Sequence, residues 1–260
     1  QLVDGTLPAP DTWEVALSGG ADKKETFERL LVEGNLGYLA LLRNLRNMRD
    51  AGVDKALIEK ELMRGAGRSR VLPFRFVAAA MTNPQWESMI EKPMLAALES
   101  TPHLPGRSIL LVDVSGSMDA PISAKSDLNR IKAATALAML CREICEDMVI
   151  YSFSAALAAI PGRRGFALAE AIEKSQPHSS TKLGAAIEAV RAQDKADRLI
   201  VFTDEQAQDT VGAPIGKGYM INVAANEHGV GYGDWTRITG FSEAVLDYIR
   251  AVEGEEVVSG

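Results

Sequence analysis

Three oxygen-bearing side chains occur at alternate positions in one short segment of the chain. Asp113, Ser115 and Ser117 stand in the sequence Asp-Val-Ser-Gly-Ser-Met, residues 113–118, at the end of an apolar run. Carboxylate and hydroxyl oxygens are hard ligands that suit Mg²⁺, which takes about six oxygens and keeps several waters among them. These side chains can converge on one ion, but they supply too few ligands alone. The segment therefore predicts part of a site for Mg²⁺ or another divalent cation.

Two later residues complete the predicted site. Thr181 lies in the loop 179–181 before a helical pattern, and Asp204 directly follows the apolar run 198–203. The carboxyl ends of parallel strands meet at one edge of a sheet, where such sheets bind ligands. We therefore expect Thr181 and Asp204 to lie close to the segment 113–118 at that edge. The predicted metal-binding residues are Asp113, Ser115, Ser117, Thr181 and Asp204, which we name the five site residues.

The first segment also has a purely structural interpretation. Serines after a strand often cap the following turn, and an aspartate there can accept hydrogen bonds from backbone donors. For Asp-x-Ser-x-Ser alone this interpretation is preferred, whereas the addition of Thr181 and Asp204 favours metal binding. The pattern predicts the capacity to bind a cation and leaves its occupancy open. Mg²⁺ sites with few protein ligands are often weak until a partner supplies the last oxygen.

The elements that must position these residues alternate along the second part of the chain. Apolar runs predict buried strands at 107–114, 148–153, 198–203 and 218–224, with a short extended piece at 157–160. Helical patterns separate or follow them at 128–145, 166–174, 183–191 and 241–252. This alternation predicts an α/β fold with a doubly wound, mostly parallel sheet of Rossmann-like type, covered by helices on both faces.

The first part of the chain is predicted to be entirely helical. Apolar residues recur at three- and four-residue spacing in 26–31, 36–48, 55–64, 75–81 and 92–99. Short paired helices bury a face only by stacking on neighbours, so we expect the end of a longer array of helical repeats. Two prolines and a glycine in the segment 101–106 mark the boundary. We divide the chain into residues 1–104 and 105–260.

The distribution of charge favours one place for contact with nucleic acid. The whole chain has 28 Lys and Arg against 35 Asp and Glu, a net charge of −7, which argues against a protein held broadly by phosphates. The stretch 43–75 is locally basic by +5. Within it Arg43, Arg46 and Asn47 share one helix face that suits phosphate contacts. A solvated cationic face, or side chains that cap repeats or join the two parts, are the alternatives.

Composition excludes several other classes of protein. Apolar residues make up 47% and charged residues 24% of the chain, as in soluble globular proteins. No apolar run approaches the roughly 18 residues of a membrane span. Cys141 and Cys145 lie four apart in the helical pattern 128–145, which predicts two buried thiols on one helix face rather than a structural disulfide. Such thiols suit a reducing compartment, so we expect a cytoplasmic protein.

The metal motif resembles a site of known protein domains. The order D-x-S-x-S, then a threonine in a later loop, then an aspartate that ends a strand, is similar to the metal-ion-dependent adhesion site of von Willebrand factor A domains. The resemblance implies that Ser115, Ser117 and Thr181 bind the metal. It implies that Asp113 and Asp204 hold the ion directly or through waters. It also implies an open position that takes an acidic group from a partner.

The first part of the chain adds a second resemblance. Trp13-Glu14-Val15, the helical segment 36–48 and Leu72-Pro73-Phe74-Arg75, followed by an A domain, resemble the Ro (TROVE) family of RNA-binding proteins. That family forms a ring of HEAT-like helical repeats closed by an A domain, and it binds small noncoding Y RNA and the ends of misfolded RNA. The chain begins at Gln1 and carries few repeats. We therefore expect the C-terminal part of a longer protein, in which a closed ring would need further repeats.

Together these observations predict a noncatalytic ribonucleoprotein component whose A domain recruits an acidic protein partner through Mg²⁺. No membrane partner is expected. The alternative is an interaction A domain without an RNA role, and a metal-dependent phosphoesterase is disfavoured because no general base or second metal site stands out. His178, the histidine nearest in sequence to Thr181, is interpreted as a loop residue. The glycine-rich segment 229–233 is interpreted as a flexible loop.

Overall fold

The chain forms two compact units. The computed structural model describes residues 14, 20–68, 71–99, 101–122, 128–224, 233–240 and 244–258, with side chains as far as residue 254. The units are Gln1–Ser100, named the helical unit, and Thr101–Gly260, named the A unit. The division along the chain falls at the start of the proline-containing segment 101–106. Within the described ranges, no helix has both the length and the apolar character that crossing a membrane requires.

The helices of the helical unit arise from apolar residues repeated at helical spacing. They are α1 (Lys23–Glu33), α2 (Tyr38–Asp50), α3 (Lys55–Gly65), α4 (Phe74–Thr82), the 3₁₀ turn Pro84–Trp86 and α5 (Glu87–Leu98). In α2 the side chains of Leu41, Leu42, Leu45 and Met48 are all buried. Such a stripe requires a partner surface, which the neighbouring helices provide. All five predicted helical segments are confirmed.

One helix begins earlier than the sequence predicts. α5 starts at Glu87, whereas the helical pattern predicts a start at Lys92. Pro93 explains the difference, because proline is favoured in the first helical turn and therefore marks a start in a sequence pattern. In the structure Pro93 is buried inside the helix, and the 3₁₀ turn Pro84–Trp86 leads into the true start.

The A unit is built on one six-stranded sheet. Its strands are β1 (Leu104–Asp113), β2 (Cys145–Phe153), β3 (Leu157–Ala159), β4 (Arg198–Thr203), β5 (Lys217–Asn222) and β6 (Trp235–Thr239). Its helical elements are the 3₁₀ turn Gly116–Asp119, α6 (Arg130–Ile144), α7 (Gly165–Glu173), α8 (Leu183–Gln193) and α9 (Ala244–Val258). The strand order is β3-β2-β1-β4-β5-β6. Among these six strands of the described residues, only β3 pairs antiparallel, so the predicted doubly wound, mostly parallel α/β fold is confirmed.

The core of the A unit surrounds β1 and β4. Residues 109–112 of β1 are fully buried, and every residue of β4 is buried. Continuous apolar runs of this kind are expected in parallel strands that are covered on both faces. α6 is buried along most of its length, which agrees with its apolar character on all sides. The carboxyl ends of β1 and β4, neighbours at the centre of the sheet, therefore have a rigid support.

Two features near the C-terminus differ from the sequence pattern or extend it. β6 is not predicted, because only Trp235 of its five residues is buried, and such a segment gives a weaker signal than a continuous apolar run. The closing helix is confirmed as α9, although residues 241–243 of the predicted segment lie outside the described residues. The glycine-rich segment 229–233 also lies outside them, apart from Gly233.

The prediction that both cysteines share one helix was wrong. α6 ends at Ile144, and Cys145 is the first residue of β2. Spacing alone does not distinguish a helix interior from a helix end, where the chain can change direction after the last turn. The N–H of Cys145 still bonds to the Cys141 carbonyl. The two free thiols therefore remain neighbours, with buried sulfur atoms 3.8 Å apart.

A buried ion pair joins β4 to α9. Arg198 donates to both carboxylate oxygens of Glu253, with Nε–Oε1 and Nη2–Oε2 distances of 2.9 and 2.7 Å. The same guanidinium donates to Ser108 Oγ at 2.8 Å, and the Tyr219 hydroxyl donates to Glu253 at 2.9 Å. The Arg198 and Glu253 side chains are only 4% and 11% exposed. The closing helix is thus held through a charge pair shielded from water.

Replacement of Arg198 by alanine should lower the free energy of unfolding of the A unit by about 3–5 kcal/mol, because Glu253 loses its compensating cation inside the protein. Urea unfolding followed by tryptophan fluorescence measures the change. Arg163→Ala removes an exposed arginine and should shift stability by no more than about 0.5 kcal/mol. A loss below about 1 kcal/mol for Arg198→Ala would show that this pair does not hold α9.

Candidate metal centre

Asp113 is fixed at the carboxyl end of β1 by hydrogen bonds to both of its oxygens. Its side chain is fully buried. Oδ1 accepts the Ser115 N–H at 2.9 Å, and Oδ2 accepts the Thr203 hydroxyl at 2.7 Å. Thr203 is the last residue of β4, so the second bond ties the ends of two adjacent strands together. The carboxylate has one defined orientation at the edge of the sheet.

The burial of Asp113 has an electrostatic consequence. Burial raises the pKa of this carboxyl group to about 6, although the hydrogen bonds from Ser115 and Thr203 oppose the rise. The nearby carboxylate of Asp204 raises it further. A neighbouring carboxylate at a poorly hydrated edge of a sheet disfavours the ionised form of Asp113. A cation at this position would therefore be stabilised by both.

The two serines face each other across the turn that follows β1. Ser115 Oγ and Ser117 Oγ lie 3.3 Å apart, with Ser115 fully buried and Ser117 partly exposed. Ser115 stands at the capping position of the 3₁₀ turn Gly116–Asp119, but its side chain makes no capping hydrogen bond there. The structural interpretation from the sequence therefore holds for Asp113, which accepts a backbone N–H, and does not account for the Ser115 hydroxyl. Two hydroxyl oxygens remain together at the turn.

Thr181 is brought to the same edge by a serine of β2's end. Ser154 Oγ accepts the Ser179 N–H at 2.9 Å and contacts the Ser180 carbonyl at 3.2 Å. The Ser179 carbonyl in turn accepts the Gly116 N–H at 2.9 Å. The loop 179–181 is thus attached both to β2 and to the turn that carries the serines. Thr181 itself is 3% exposed.

Asp204 follows β4 and is fully buried. Its Oδ2 accepts a hydrogen bond from Arg130 Nη1 at 2.7 Å, and Oδ1 accepts the Gln206 N–H at 3.3 Å. Arg130 Nη1 also donates to the Ser117 carbonyl at 3.3 Å. Arg130, at the start of α6, therefore connects the loop after β4 to the turn after β1.

The residue after Asp204 has an unusual backbone. Glu205 has a φ of 59°, a left-handed conformation that is unfavourable for a residue with a Cβ atom. Its buried carboxylate pairs with Arg237 Nε of β6 at 2.9 Å, and its N–H donates to the Thr203 hydroxyl at 3.0 Å. Strained backbone of this kind persists where the surroundings impose it, often at functional sites. Here it turns the chain directly behind Asp204.

His178 lies next to the loop that carries Thr181 and is held at both ring nitrogens. Nε2 bonds to the Glu173 carbonyl at 2.9 Å, and Nδ1 lies 3.1 Å from Asp119 Oδ1. The bond to the Glu173 carbonyl, supported by Asp119, raises the pKa of His178 above its ordinary value. The imidazole thus links the end of α7 to the 3₁₀ turn Gly116–Asp119. This structural role adds to the interpretation of His178 as a loop residue.

The donor set fits a hard divalent cation. The five site residues offer two carboxylates and three hydroxyls, which is the chemistry that Mg²⁺ or Mn²⁺ prefers. Within the part of the chain that the structure describes, no cluster of three or more His, Cys, Asp or Glu side chains suits a metal, so this hydroxyl-rich edge does not resemble a zinc site. Hydrogen bonds link all the segments that carry the donors.

The structure adds residues that the sequence pattern does not identify. Thr203 and Ser154 position Asp113 and Thr181, while Arg130 contacts Asp204. Thr203 stands beside Asp204 in the sequence and could have been suspected from that position. Arg130 gives no such signal, because its role depends on a contact with a residue 74 positions away.

The predicted RNA-binding residues lie in the helical unit. Arg43, Arg46 and Asn47 are all exposed on α2. Arg46 Nε lies 4.0 Å from Asp50 Oδ2, and Asn47 Nδ2 donates to Asn44 Oδ1 at 2.9 Å. The structure therefore brings these three side chains to one helix surface, as the spacing predicts. Their contact with RNA stays a prediction.

Comparison with family models identifies the chain. The TROVE domain model matches residues 5–158, which cover the helical unit and run into the A unit. The chain belongs to the TROVE family. A second model, the Ro60 vWA domain, matches residues 107–215 of this TROVE protein, a range that contains all five site residues. The resemblance to Ro proteins with a von Willebrand factor A domain is thereby confirmed.

The chain is also similar to one solved structure and to two curated proteins. The crystal structure of the Deinococcus radiodurans RO (RSR) protein matches with a TM-score of 0.67 and 21% identity, over 88% of this TROVE chain and 54% of that protein. This likeness shows the fold. Telomerase protein component 1 of Mus musculus and of Rattus norvegicus are 37% and 36% identical over 78 residues. Those residues are 28% of this chain and 3% of each relative.

The raised pKa of Asp113 predicts a pH-dependent stability in metal-free buffer. A folded-state pKa of about 6, against an ordinary value of 3.8, means that the folded protein binds this proton more tightly than the unfolded chain. The resulting stabilisation is complete below about pH 4 and is lost as the pH rises through about 6. At about 1.36 kcal/mol per pKa unit, the loss amounts to about 3 kcal/mol.

Comparison with Asp113→Asn isolates this effect, because all other titrating groups are common to both proteins. Urea unfolding in EDTA between pH 4.5 and 7.5 should show the wild type losing stability relative to the variant as the pH rises. A stability difference that stays constant over this range would mean that Asp113 titrates normally in the folded protein.

Proposed function

We propose that the protein is a noncatalytic, RNA-binding component of a ribonucleoprotein, in which the A unit uses a divalent cation to recruit an acidic partner. Membership of the TROVE family is the observation that carries the RNA part of this proposal. The expected ligands are small noncoding RNA of the Y RNA type and the ends of misfolded RNA. The chain spans about half of the RO protein to which it is similar. The proposal therefore assigns to the helical unit a share of the RNA contact.

The exposed face of α2 supports this assignment. Arg43, Arg46 and Asn47 present donors that suit phosphate oxygens, and contacts of this type position RNA without reading its sequence. The ion pair between Arg46 and Asp50 joins side chains that are 69% and 56% exposed. Such exposed pairs contribute little to stability. Arg46 could therefore exchange Asp50 for a phosphate at small cost.

The geometry at the edge of the sheet supports the metal part of the proposal. Ser115, Ser117 and Thr181 would hold the cation through their hydroxyls, and Asp113 and Asp204 would hold it directly or through waters. Of these side chains Ser117 is partly exposed, whereas the others are buried, so the accessible side of the site lies at the serine turn. A bound Mg²⁺ would supply a Lewis-acidic centre for a carboxylate oxygen of the partner.

A second candidate function is a metal-dependent protein-interaction domain without an RNA role. The overall charge of −7 favours it, because a chain with excess acid is repelled by phosphates except at local basic surfaces. The two functions share the metal site and differ in the use of α2. Binding of RNA to the intact chain therefore distinguishes them.

RNA binding should depend on the exposed cations of α2. We expect a stem-loop RNA with a single-stranded 3′ tail to be retarded by the protein in an electrophoretic shift assay, with affinity that falls as salt rises. Arg43→Ala combined with Arg46→Ala should weaken binding about tenfold or more and should lower the salt slope by about 2, because two phosphate contacts are lost.

A matched control removes two charges elsewhere. Arg163→Ala combined with Lys195→Ala deletes the same net charge from exposed positions of the A unit and should leave RNA affinity within about twofold. Equal losses in both double variants would indicate attraction by overall charge. If the wild type binds no RNA while it retains metal-dependent protein binding, the second candidate function is correct.

Metal binding should be measurable as thermal stabilisation. A saturating divalent ion at about 100 times its dissociation constant adds about 2.7 kcal/mol, which raises the midpoint of the A-unit transition by roughly 5–10 °C. Thr181→Val removes one hydroxyl ligand while it keeps the side-chain shape, and most of the Mg²⁺-induced rise should disappear. Thr210→Val, at an exposed threonine after β4, should keep it. An equal rise in both variants would exclude Thr181 as a ligand.

A further inference from the structure

One partly buried arginine lies against the proposed metal site. Arg130 begins α6, and its Nη1 atom donates to Asp204 Oδ2 at 2.7 Å and to the Ser117 carbonyl at 3.3 Å. The Arg130 side chain is 17% exposed, whereas that of Asp204 is fully buried. The guanidinium group thus bridges two of the segments that supply the predicted ligands. A positive charge already occupies one side of Asp204.

The position of Arg130 is imposed by its backbone. The Arg130 N–H donates to the Ala120 carbonyl at 3.0 Å, so the start of α6 is attached to the segment that follows the serine turn. Asn129 caps the helix by accepting the Lys132 N–H at 2.9 Å. These bonds hold the arginine within reach of Asp204 without fixing the guanidinium itself, whose contacts depend on its side-chain rotamer.

The guanidinium has an unmet hydrogen bond. Arg130 Nε is buried, and among the described residues it has no hydrogen-bond partner. Buried donors in native proteins are almost always paired, because an unpaired donor loses its hydrogen bond to water. The ion pair with Asp204 therefore holds Arg130 in an arrangement that leaves one of its own donors unsatisfied. Release of Asp204 would allow the side chain to turn and relieve this cost.

Charge balance gives the ion pair a function. Asp113 and Asp204 place two carboxylates at this edge of the sheet, and Arg130 compensates one of them directly. A divalent cation held by the same oxygens would lie close to a guanidinium of like charge, and partly buried charges are poorly screened by salt. The guanidinium and a bound metal ion would therefore compete for the stabilisation that Asp204 provides.

We propose that Arg130 is a positioning residue that takes the place of the divalent cation at Asp204 and gives way when the ion binds. This inference rests on the metal site of the proposed function and concerns its affinity. Arg130 stabilises the metal-free protein through its ion pair with Asp204. Metal binding breaks this pair, so the free energy of metal binding is reduced by the stabilisation that the pair provides. The site is then filled only where a partner's carboxylate adds to the binding free energy.

Arg130→Gln tests the competition directly. The variant should bind Mn²⁺, measured by isothermal titration calorimetry, about tenfold more tightly than the wild type, because the competing charge is gone. Its metal-free midpoint of thermal unfolding should be lower and its metal-induced rise larger. Arg142→Gln, in the last turn of the same helix, provides the matched control and should bind as the wild type does. Arg130→Lys keeps the charge and should stay within about twofold of the wild type.

The outcomes separate this inference from the metal site itself. If the wild type and Arg130→Gln bind Mn²⁺ equally, or the variant binds more weakly, Arg130 does not compete and the metal site stands. If Mn²⁺ binds neither protein, the metal proposal fails and this inference fails with it. If Arg130→Gln does not fold, a measurement on the unmodified protein still decides.

The unmodified protein provides an independent readout. In a ¹⁵N NMR spectrum of arginine side chains, the Nε–H signal of Arg130 should shift when Mg²⁺ is added, because the guanidinium leaves Asp204. The shift should be absent in Asp204→Asn at the same Mg²⁺ concentration. An Arg130 signal that does not move while calorimetry shows Mg²⁺ bound to the wild type would overturn the proposal.

Discussion

Two buried carboxylates at the carboxyl ends of β1 and β4 set the constraint on which the rest of the A unit depends. Asp113 and Asp204 are fully buried at adjacent strand ends, where water compensates their charge poorly. Hydrogen bonds from Ser115 and Thr203 stabilise the first carboxylate, and Arg130 stabilises the second. Each compensating group comes from a different loop or strand end. The loops at this edge are therefore arranged so that they bring hydrogen-bond donors to the two buried carboxylates.

The fold meets this demand with a rigid support rather than with flexible loops. The apolar centres of β1 and β4 keep the two strands in register, so that the carboxyl ends of the strands lie side by side. Behind Asp204, the left-handed backbone of Glu205 is imposed by the pair with Arg237 and by the Thr203 hydroxyl. Strained backbone that is held in this way can orient a neighbouring ligand residue before the ligand binds. A pre-oriented site loses less conformational freedom when it binds.

The division of the chain into two units separates two kinds of electrostatic surface. The exposed face of α2 carries Arg43 and Arg46 in a locally basic stretch, although the chain as a whole is acidic. The A unit concentrates buried acid at the edge of its sheet, and that charge attracts cations. Under the proposed function, RNA phosphates and an acidic protein group would therefore bind at different places within one chain. Under the same proposal, an anionic partner would reach the A unit through a bridging cation, and the metal would control that contact.

The sequence by itself determined the fold class and nominated the five site residues. Local signals can be recognised in the sequence without the tertiary structure; they include continuous apolar runs, helical spacing and a turn such as Ser115-Gly116-Ser117. Tertiary structure alone decided that Thr203 bonds to Asp113 across 90 positions, that Arg130 pairs with Asp204, and that β6 completes the sheet. Those features depend on the pairing of distant segments, which no local pattern specifies. The sequence thus predicts the oxygen donors of the metal site, and tertiary structure determines which charged side chains lie next to them.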